Sequence, residues 1–327
     1  MLRETTRRLA ILLAAVSLVT LAVWLPRQEK HLRLRLASGL WPGSEAMVLA
    51  HARGELPNAD FQMIELPWSS AVMRALGNDA ADAAVVTLDV ALRMRESGQD
   101  LRVVMVLDES AGADVVLAGG GLAEMKALRG KRIGVDVRGA GGYVLANALE
   151  GAGMTLADVI VVPMIQAEME QAVADGLVDA VASSEPWASR LRSAGLREVS
   201  DVREPKVPVM RVLVASARAC EELRPQLSQL IAAQIEGTKR MRAQQPFAGM
   251  EVVMRRQKLA AEQLQAALGR WTPLDLHANR SLLDGDPPKL AEMADEMTSM
   301  MLRCGLLKSE PVDETWIDGT LLREVKP

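Results

Sequence analysis

The sequence predicts an α/β protein of two lobes joined by two crossovers. Three observations lead there. Strand-length apolar runs alternate with helical segments through the first two thirds of the chain. Two long apolar runs, Leu101 to Leu107 and Val209 to Ala215, each adjoin an extended polar or proline-containing segment. A short pattern also recurs. Gly77-Asn78-Asp79-Ala80-Ala81-Asp82-Ala83 and Gly176-Leu177-Val178-Asp179-Ala180 both close a helix with Gly and open a strand with Asp-Ala. Helix C-capping accounts for the glycines, and the shared arrangement points to two similar halves.

The chain is organised around Leu107-Asp108-Glu109-Ser110-Ala111-Gly112-Ala113-Asp114. One apolar run leads in, and a second, Val115 to Ala118, leads out. A plain β-turn would use Asp, Ser and Gly in the same way. Taken with the alternation, the segment reads as chain passing between lobes, with polar groups at strand ends facing a cleft.

The elements follow in order. Leu32 to Leu36 alternates with period two and reads as a strand. A loop with Gly39, Trp41, Pro42 and Gly43 follows, and Ser44 stands as N-cap of a helix through Met47 to Gly54. Phe61 to Leu66 is a strand. Pro67-Trp68-Ser69-Ser70 is a loop ending in an N-cap, with helix from Ala71 to Leu76. Ala83 to Thr87 is a strand, Leu88 to Glu96 a helix and Leu101 to Leu107 a strand, giving βαβ units and a mainly parallel sheet. Leu122 to Leu128 reads as a short helix, Lys131 to Asp136 as a strand, and Arg138-Gly139-Ala140-Gly141-Gly142-Tyr143 as a glycine-rich turn into a helix. The alternation continues through Val159 to Val162, Ala167 to Ala174, Ala180 to Ala182, Pro186 to Ala194 and Leu196 to Val199. Pro205 to Pro208 is a second extended connection, and Val209 to Ala215 the return to the first lobe. Beyond Ser216 the periodicity is helical. Leu290, Met293, Met297, Met300 and Cys304 form one helix face that fills core. Glu310 to Pro327 reads as an irregular arm.

Composition excludes several classes. A length of 327 residues suits two lobes, and 49% hydrophobic with 24% charged residues fits a globular chain. Net charge is −4 with no basic stripe, so no nucleic-acid partner is expected. Cys220 and Cys304 stand far apart without a CxxC or Cys/His cluster, so no structural metal is expected; the two read as buried free thiols, or as a pair in an oxidising compartment. His31, His51 and His277 are scattered, with no nucleophile–His–acid arrangement, so no catalytic group is assigned.

The N-terminus carries Arg3, Arg7 and Arg8, then a charge-free apolar run from Leu9 to Leu25 closed by Pro26-Arg27. Residues 1–30 therefore read as a signal peptide or an N-terminal membrane anchor. The run is long for the first and short for the second. Leu21-Ala22-Val23-Trp24 offers no small-residue cleavage site, and no cysteine follows for a lipid anchor. Either way the globular part is expected in the periplasm, or tethered to the inner membrane and facing the periplasm.

Five segments now align: Trp41-Pro42-Gly43, Gly77 through Asp82-Ala83-Ala84, Leu107 through Asp114, Leu128-Arg129-Gly130-Lys131-Arg132-Ile133-Gly134-Val135, and Val178-Asp179-Ala180-Val181-Ala182-Ser183-Ser184-Glu185-Pro186-Trp187. Together these resemble the periplasmic solute-binding proteins of ABC importers for nitrate, sulfonates, taurine and thiamine-type pyrimidines. The resemblance covers about residues 32 to 270. It implies a type II periplasmic-binding-protein fold with two crossover strands as hinge. Residues 32–112 with 212–327 would form lobe 1, and residues 113–211 lobe 2. It also implies a small-molecule ligand and an ABC permease as partners, with no cofactor.

Candidate ligand contacts follow from that pattern. Trp41 stacks on a ligand, or packs on its own lobe. Ser69 and Ser70 stand at a helix N-terminus, whose free N–H groups favour anions. Thr87 ends a strand beside the cleft. Asp108 and Ser110 at the crossover contact ligand, or hold the hinge. Gly139 and Gly142 let backbone amides approach an anion. Tyr143 covers the ligand, or packs in its helix. Glu185 and Trp187 open a helix facing the other lobe. Arg138, alone before the glycine turn, pairs with an anionic ligand or is solvated. The expected function is an extracytoplasmic substrate-binding protein for a small polar or anionic molecule of sulfonate, nitrate or taurine type. The alternatives are a membrane-tethered ligand sensor and an enzyme on the same fold acting on a pyrimidine-like compound.

Overall fold

The computed structural model describes residues 32–199, 207–311 and 316–325. The basic N-terminus and the Leu9 to Leu25 run lie outside them, as do residues 205 and 206 at the start of the second connection. Residues from 33 onward form one unit.

Two sheets carry the architecture. The first is six-stranded, in the order β11-β4-β10-β3-β1-β2, with β1 Leu34–Ser38, β2 Phe61–Glu65, β3 Ala83–Thr87, β4 Leu101–Ser110, β10 Met210–Ser216 and β11 Trp271–Pro273. The second is five-stranded, in the order β7-β6-β8-β5-β9, with β5 Asp114–Ala118, β6 Arg132–Val135, β7 Ile160–Pro163, β8 Ala180–Ser184 and β9 Arg197–Glu198. Helices cover them: α1 Glu45–Ala52, α2 Ser69–Gly77, α3 Leu88–Glu96, α4 Gly141–Gly151, α5 Met169–Ala174 and α6 Trp187–Ser193, then α7 Ala217–Glu222 through α8 Arg224–Ala243, α9 Met250–Gln257, α10 Ala261–Leu268, α11 Leu276–Leu283 and α12 Lys289–Arg303.

The expectation of a mainly parallel sheet holds for β2-β1-β3 and β7-β6-β8 only. β10 lies antiparallel to both β3 and β4, and β5 antiparallel to β8. The reason is connectivity. β4 carries the chain out of the first sheet at Ser110 and β10 brings it back at the same end, so the two must run oppositely. The turn between β4 and β5 uses Gly112 at φ +95°, where a side chain would be strained.

The recurrent sequence pattern has one structural meaning. Asp82 accepts from the backbone N–H of Arg35 and pairs with its guanidinium, at 2.9 and 2.8 Å. Asp179 does the same for Arg132, at 2.9 and 2.9 Å. In each sheet the carboxylate that opens one strand pins the start of its parallel neighbour. On the Met face Leu290, Met297 and Met300 are buried, whereas Met293 and Cys304 are half-buried. Cys220 and Cys304 are free thiols.

Local boundaries differ where side chains compete for a cap. Trp68, not Ser69 or Ser70, is the N-cap of α2, and both serines lie inside its first turn. Ser44 donates its hydroxyl to the Trp41 carbonyl at 3.0 Å, so residues 42–44 tighten into a 3-10 turn before α1. The expected helix at Leu122 to Leu128 is a 3-10 turn over Met125–Leu128. In the arm, Trp316 is buried and Ile317 pairs with Val103.

Candidate ligand-binding site between the two sheets

A pocket of about 110 Å³ opens between the sheets, enough for several water-sized groups. The six-stranded sheet and its helices contribute Gly39, Leu40 and Trp41 after β1, Ser69 and Val72 of α2, Val85, Val86 and Thr87 of β3, Val90 of α3, and Arg211 of β10. The five-stranded side contributes Ala140, Gln166, Ser184 and Glu185.

Arg211 organises the back of the pocket. It is the one charge inside the apolar strand β10 and is itself buried. Its guanidinium forks onto Asp114 of β5 at 2.8 and 2.7 Å, across the junction between the sheets. Ser184 of β8 donates to the same carboxylate at 2.5 Å. The guanidinium also lies 3.3 Å from the Trp41 ring centroid, a cation–π stack. Trp41 donates its indole N–H to Asp108 Oδ2 at 2.8 Å. Asp108 is fully buried, and its other oxygen stands 3.8 Å from Arg211 without a hydrogen bond. Burial pushes the Asp108 carboxyl from its ordinary 3.8 up to about 7, against the pull of Arg211 and the indole N–H. Arg211 keeps its charge because Asp114 and Asp108 outweigh its own burial.

The front is lined by Ser69, Thr87, Gln166, Ser184 and Glu185. Thr87, the N-cap of α3, makes no capping bond, and its buried hydroxyl has no partner. Native buried hydroxyls are nearly always bonded, so this one is available to a ligand. The N-termini of α2, α3 and α4 all reach the pocket, through Ser69, Thr87 and Ala140. Their partial positive charge favours an anionic or electron-rich group. Glu185 is already taken: it accepts from Arg192 at 2.6 Å and from the Ser189 N–H at 3.1 Å.

Of the residues singled out in the sequence, Trp41, Ser69, Thr87 and Glu185 line the pocket. Asp108 lies behind it, holding Trp41. Ser110 accepts from the Asp114 N–H at 3.1 Å and so fixes the crossover. Gly139 sits at the rim, where a Cβ would meet Ser69 Oγ and Asp136 Oδ2 at 2.7 Å each. The others point elsewhere. Ser70 faces the opposite side of α2. Gly142 packs toward Leu306. Tyr143 is buried and donates to the Val207 carbonyl at 2.7 Å. Trp187 carries Arg190 on its ring at 4.2 Å. Sequence reading missed Arg211, Gln166 and Ser184. The signal for Arg211 was present, as a lone charge in an otherwise apolar strand. Gln166 and Ser184 had none, since their place depends on how β8 meets the turn before α5.

Two α/β lobes joined by crossover strands around a polar pocket define the periplasmic-binding-protein fold. The chain belongs to the NMT1/THI5-like family, whose model matches residues 59–246. Solved structures agree on the fold. The alkanesulfonate-binding protein SsuA from Xanthomonas axonopodis pv. citri bound to MOPS superposes with a TM-score of 0.74 at 17% identity, over 89% of this chain and 99% of that one. The periplasmic aliphatic sulphonate binding protein SsuA from Escherichia coli gives 0.71 at 19% identity, over 87% and 97%. The desulfurization enzyme DSZB also shares the fold, at 0.64 and 17% identity over 89% and 98%. No curated protein matches the chain in sequence.

Proposed function

We propose that this chain is the extracytoplasmic substrate-binding component of an ABC importer. Its ligand is a small polar or anionic molecule, held between lobe 1, residues 32–112 with 212–327, and lobe 2, residues 113–211. The observation that carries the reading is a pocket walled by both sheets and presenting the unpartnered Thr87 hydroxyl. Aliphatic walls from Val72, Val85, Val86 and Val90 suit a short apolar body. The helix N-termini, Thr87 and Ser69 suit an oxyanion head, as an aliphatic sulfonate would present. The fold neighbours that bind sulfonates support that ligand class. Taurine and nitrate share the head-group chemistry and stand next.

The pocket supports binding over catalysis. Neither cysteine and neither His51 nor His277 lines it, and Glu185 is committed to Arg192. No nucleophile stands beside a free base there. This reading puts the protein in the periplasm, free or anchored in the inner membrane, with an ABC permease as partner. Among the described residues no helix is long and apolar enough to cross a membrane, and the tether we propose is the Leu9 to Leu25 segment.

Tryptophan fluorescence tests the proposal, because Trp41 walls the pocket. A titration with alkanesulfonates, taurine, nitrate and pyrimidines should give a saturable change with at least one. No response across the panel would reject this ligand class. N-terminal sequencing of the mature protein separates the free form, starting near residue 27 to 31, from the tethered form with an intact Met1.

A further inference from the structure

We propose that the groove on the other side of α2 is a second site, one that binds an oxyanion of the hydrogen-phosphate type between the lobes. Helix α2 divides the two sites by its period: Ser69 and Val72 face the pocket, whereas Ser70 and Arg74 face the groove. The groove measures about 670 Å³ and shares no lining residue with the pocket. Its opposite wall is the turn of the second lobe that carries Val137 and Arg138.

Three arginines, Arg74, Arg93 and Arg138, line this groove, and no acid does. Arg93 is committed. It pairs with Asp89 and donates to the carbonyls of Val137 and Gly139 at 2.7 Å each, tying α3 to the second lobe. The other two are not. The Arg138 guanidinium has no hydrogen bond or ion pair among the described residues, and Arg74 reaches only Ser70 Oγ, at 3.5 Å. Thus one arginine without an acid partner lines the groove from each side, and an anion between them would receive charge-assisted bonds from both. Gln99, on the same wall, holds its amide oxygen buried and without a partner. A hydrogen phosphate offers what the three side chains lack: charged oxygens for the arginines and an O–H for the amide oxygen. Room in the groove extends this to a small phosphate monoester.

The test uses the full chain in chloride buffer at constant ionic strength, titrated with inorganic phosphate and, separately, with glycerol 3-phosphate, while the melting temperature is followed. Wild type should be stabilised in a saturable manner. Arg74→Gln or Arg138→Gln should each raise the half-maximal concentration about tenfold, and the double variant should not respond. Both side chains are exposed and neither meets an acid, so the variants should fold as wild type does. A stronger response to the ester than to phosphate would assign the groove to the ester. An equal response in wild type and the double variant, or none in wild type, overturns the proposal. Thr87→Val, which strikes only the pocket, should keep the phosphate response, so failure here and failure of the importer reading show separately.

Discussion

Replacing Asp114 by Asn should be the most damaging polar change in the protein. The substitution keeps the size of the side chain but removes the charge that faces Arg211. Arg211 is buried, and Asp114 supplies both of its short bonds, at 2.8 and 2.7 Å. Breaking a buried pair by removing one partner costs about 3–5 kcal/mol, because the other charge is stranded. Here the lower end applies. Asp108 stands 3.8 Å from the same guanidinium and can ionise in compensation, since loss of Asp114 also removes a like charge that holds its carboxyl up. A loss of about 3 kcal/mol is therefore expected, roughly 6 °C in melting temperature for a chain of this size. Urea denaturation followed by tryptophan emission measures it. The double variant Arg211→Met with Asp114→Leu strands no charge, so it should lose less than the two single variants summed. A loss below about 1 kcal/mol for Asp114→Asn, or strict additivity in the double variant, would refute the reasoning, since both values follow from the cost of a stranded buried charge.

Three further outcomes follow from the same geometry. Asp108 is an acid whose folded value is raised to about 7 from 3.8, so it holds a proton that the unfolded chain releases. Its contribution to stability is full below 3.8 and is lost as pH rises through about 7. Wild type should therefore lose stability relative to Asp108→Asn across that window, and a pH-independent difference would reject the raised value. Gly139→Ala places a methyl 2.7 Å from Ser69 Oγ across the junction between the sheets and equally close to Asp136 Oδ2; overpacking of about 1–3 kcal/mol there should weaken ligand binding about tenfold, read by calorimetry. Thr87→Val should lower ligand affinity about tenfold while leaving the melting temperature unchanged, because the hydroxyl has no partner without ligand; unchanged affinity would remove Thr87 from the site.

The strands up to β10 were readable because each is a short apolar run between clear breaks, and the Asp-Ala starts of β3 and β8 mark equivalent positions in the two sheets; the short edge strand β11, within a stretch read as helical, was not. Trp41, Ser69, Thr87 and Glu185 were readable for the same reason, since each stands at the end of a strand or the start of a helix. What the sequence hid depends on distance in three dimensions. Asp108 and Asp114 stand six positions apart and both face Arg211, nearly a hundred residues away, and only the folded sheet brings them together. Tyr143 follows the glycine turn, but its place in α4 aims it at Val207 rather than the cleft. Ser69 and Ser70 are neighbours in sequence, yet helical geometry sends them to opposite sides of α2. Antiparallel entry of β10 was likewise invisible, because strand direction is set by where the crossover lands.

The central claim, a ligand held between the two sheets, is tested most directly by the electron density of a complex with the strongest binder of the panel. The account predicts density that touches both sides at once, with a polar group on Thr87 and Ser69 from the first lobe and on Gln166 from the second. Density confined to one lobe, or lying outside the pocket altogether, would contradict it.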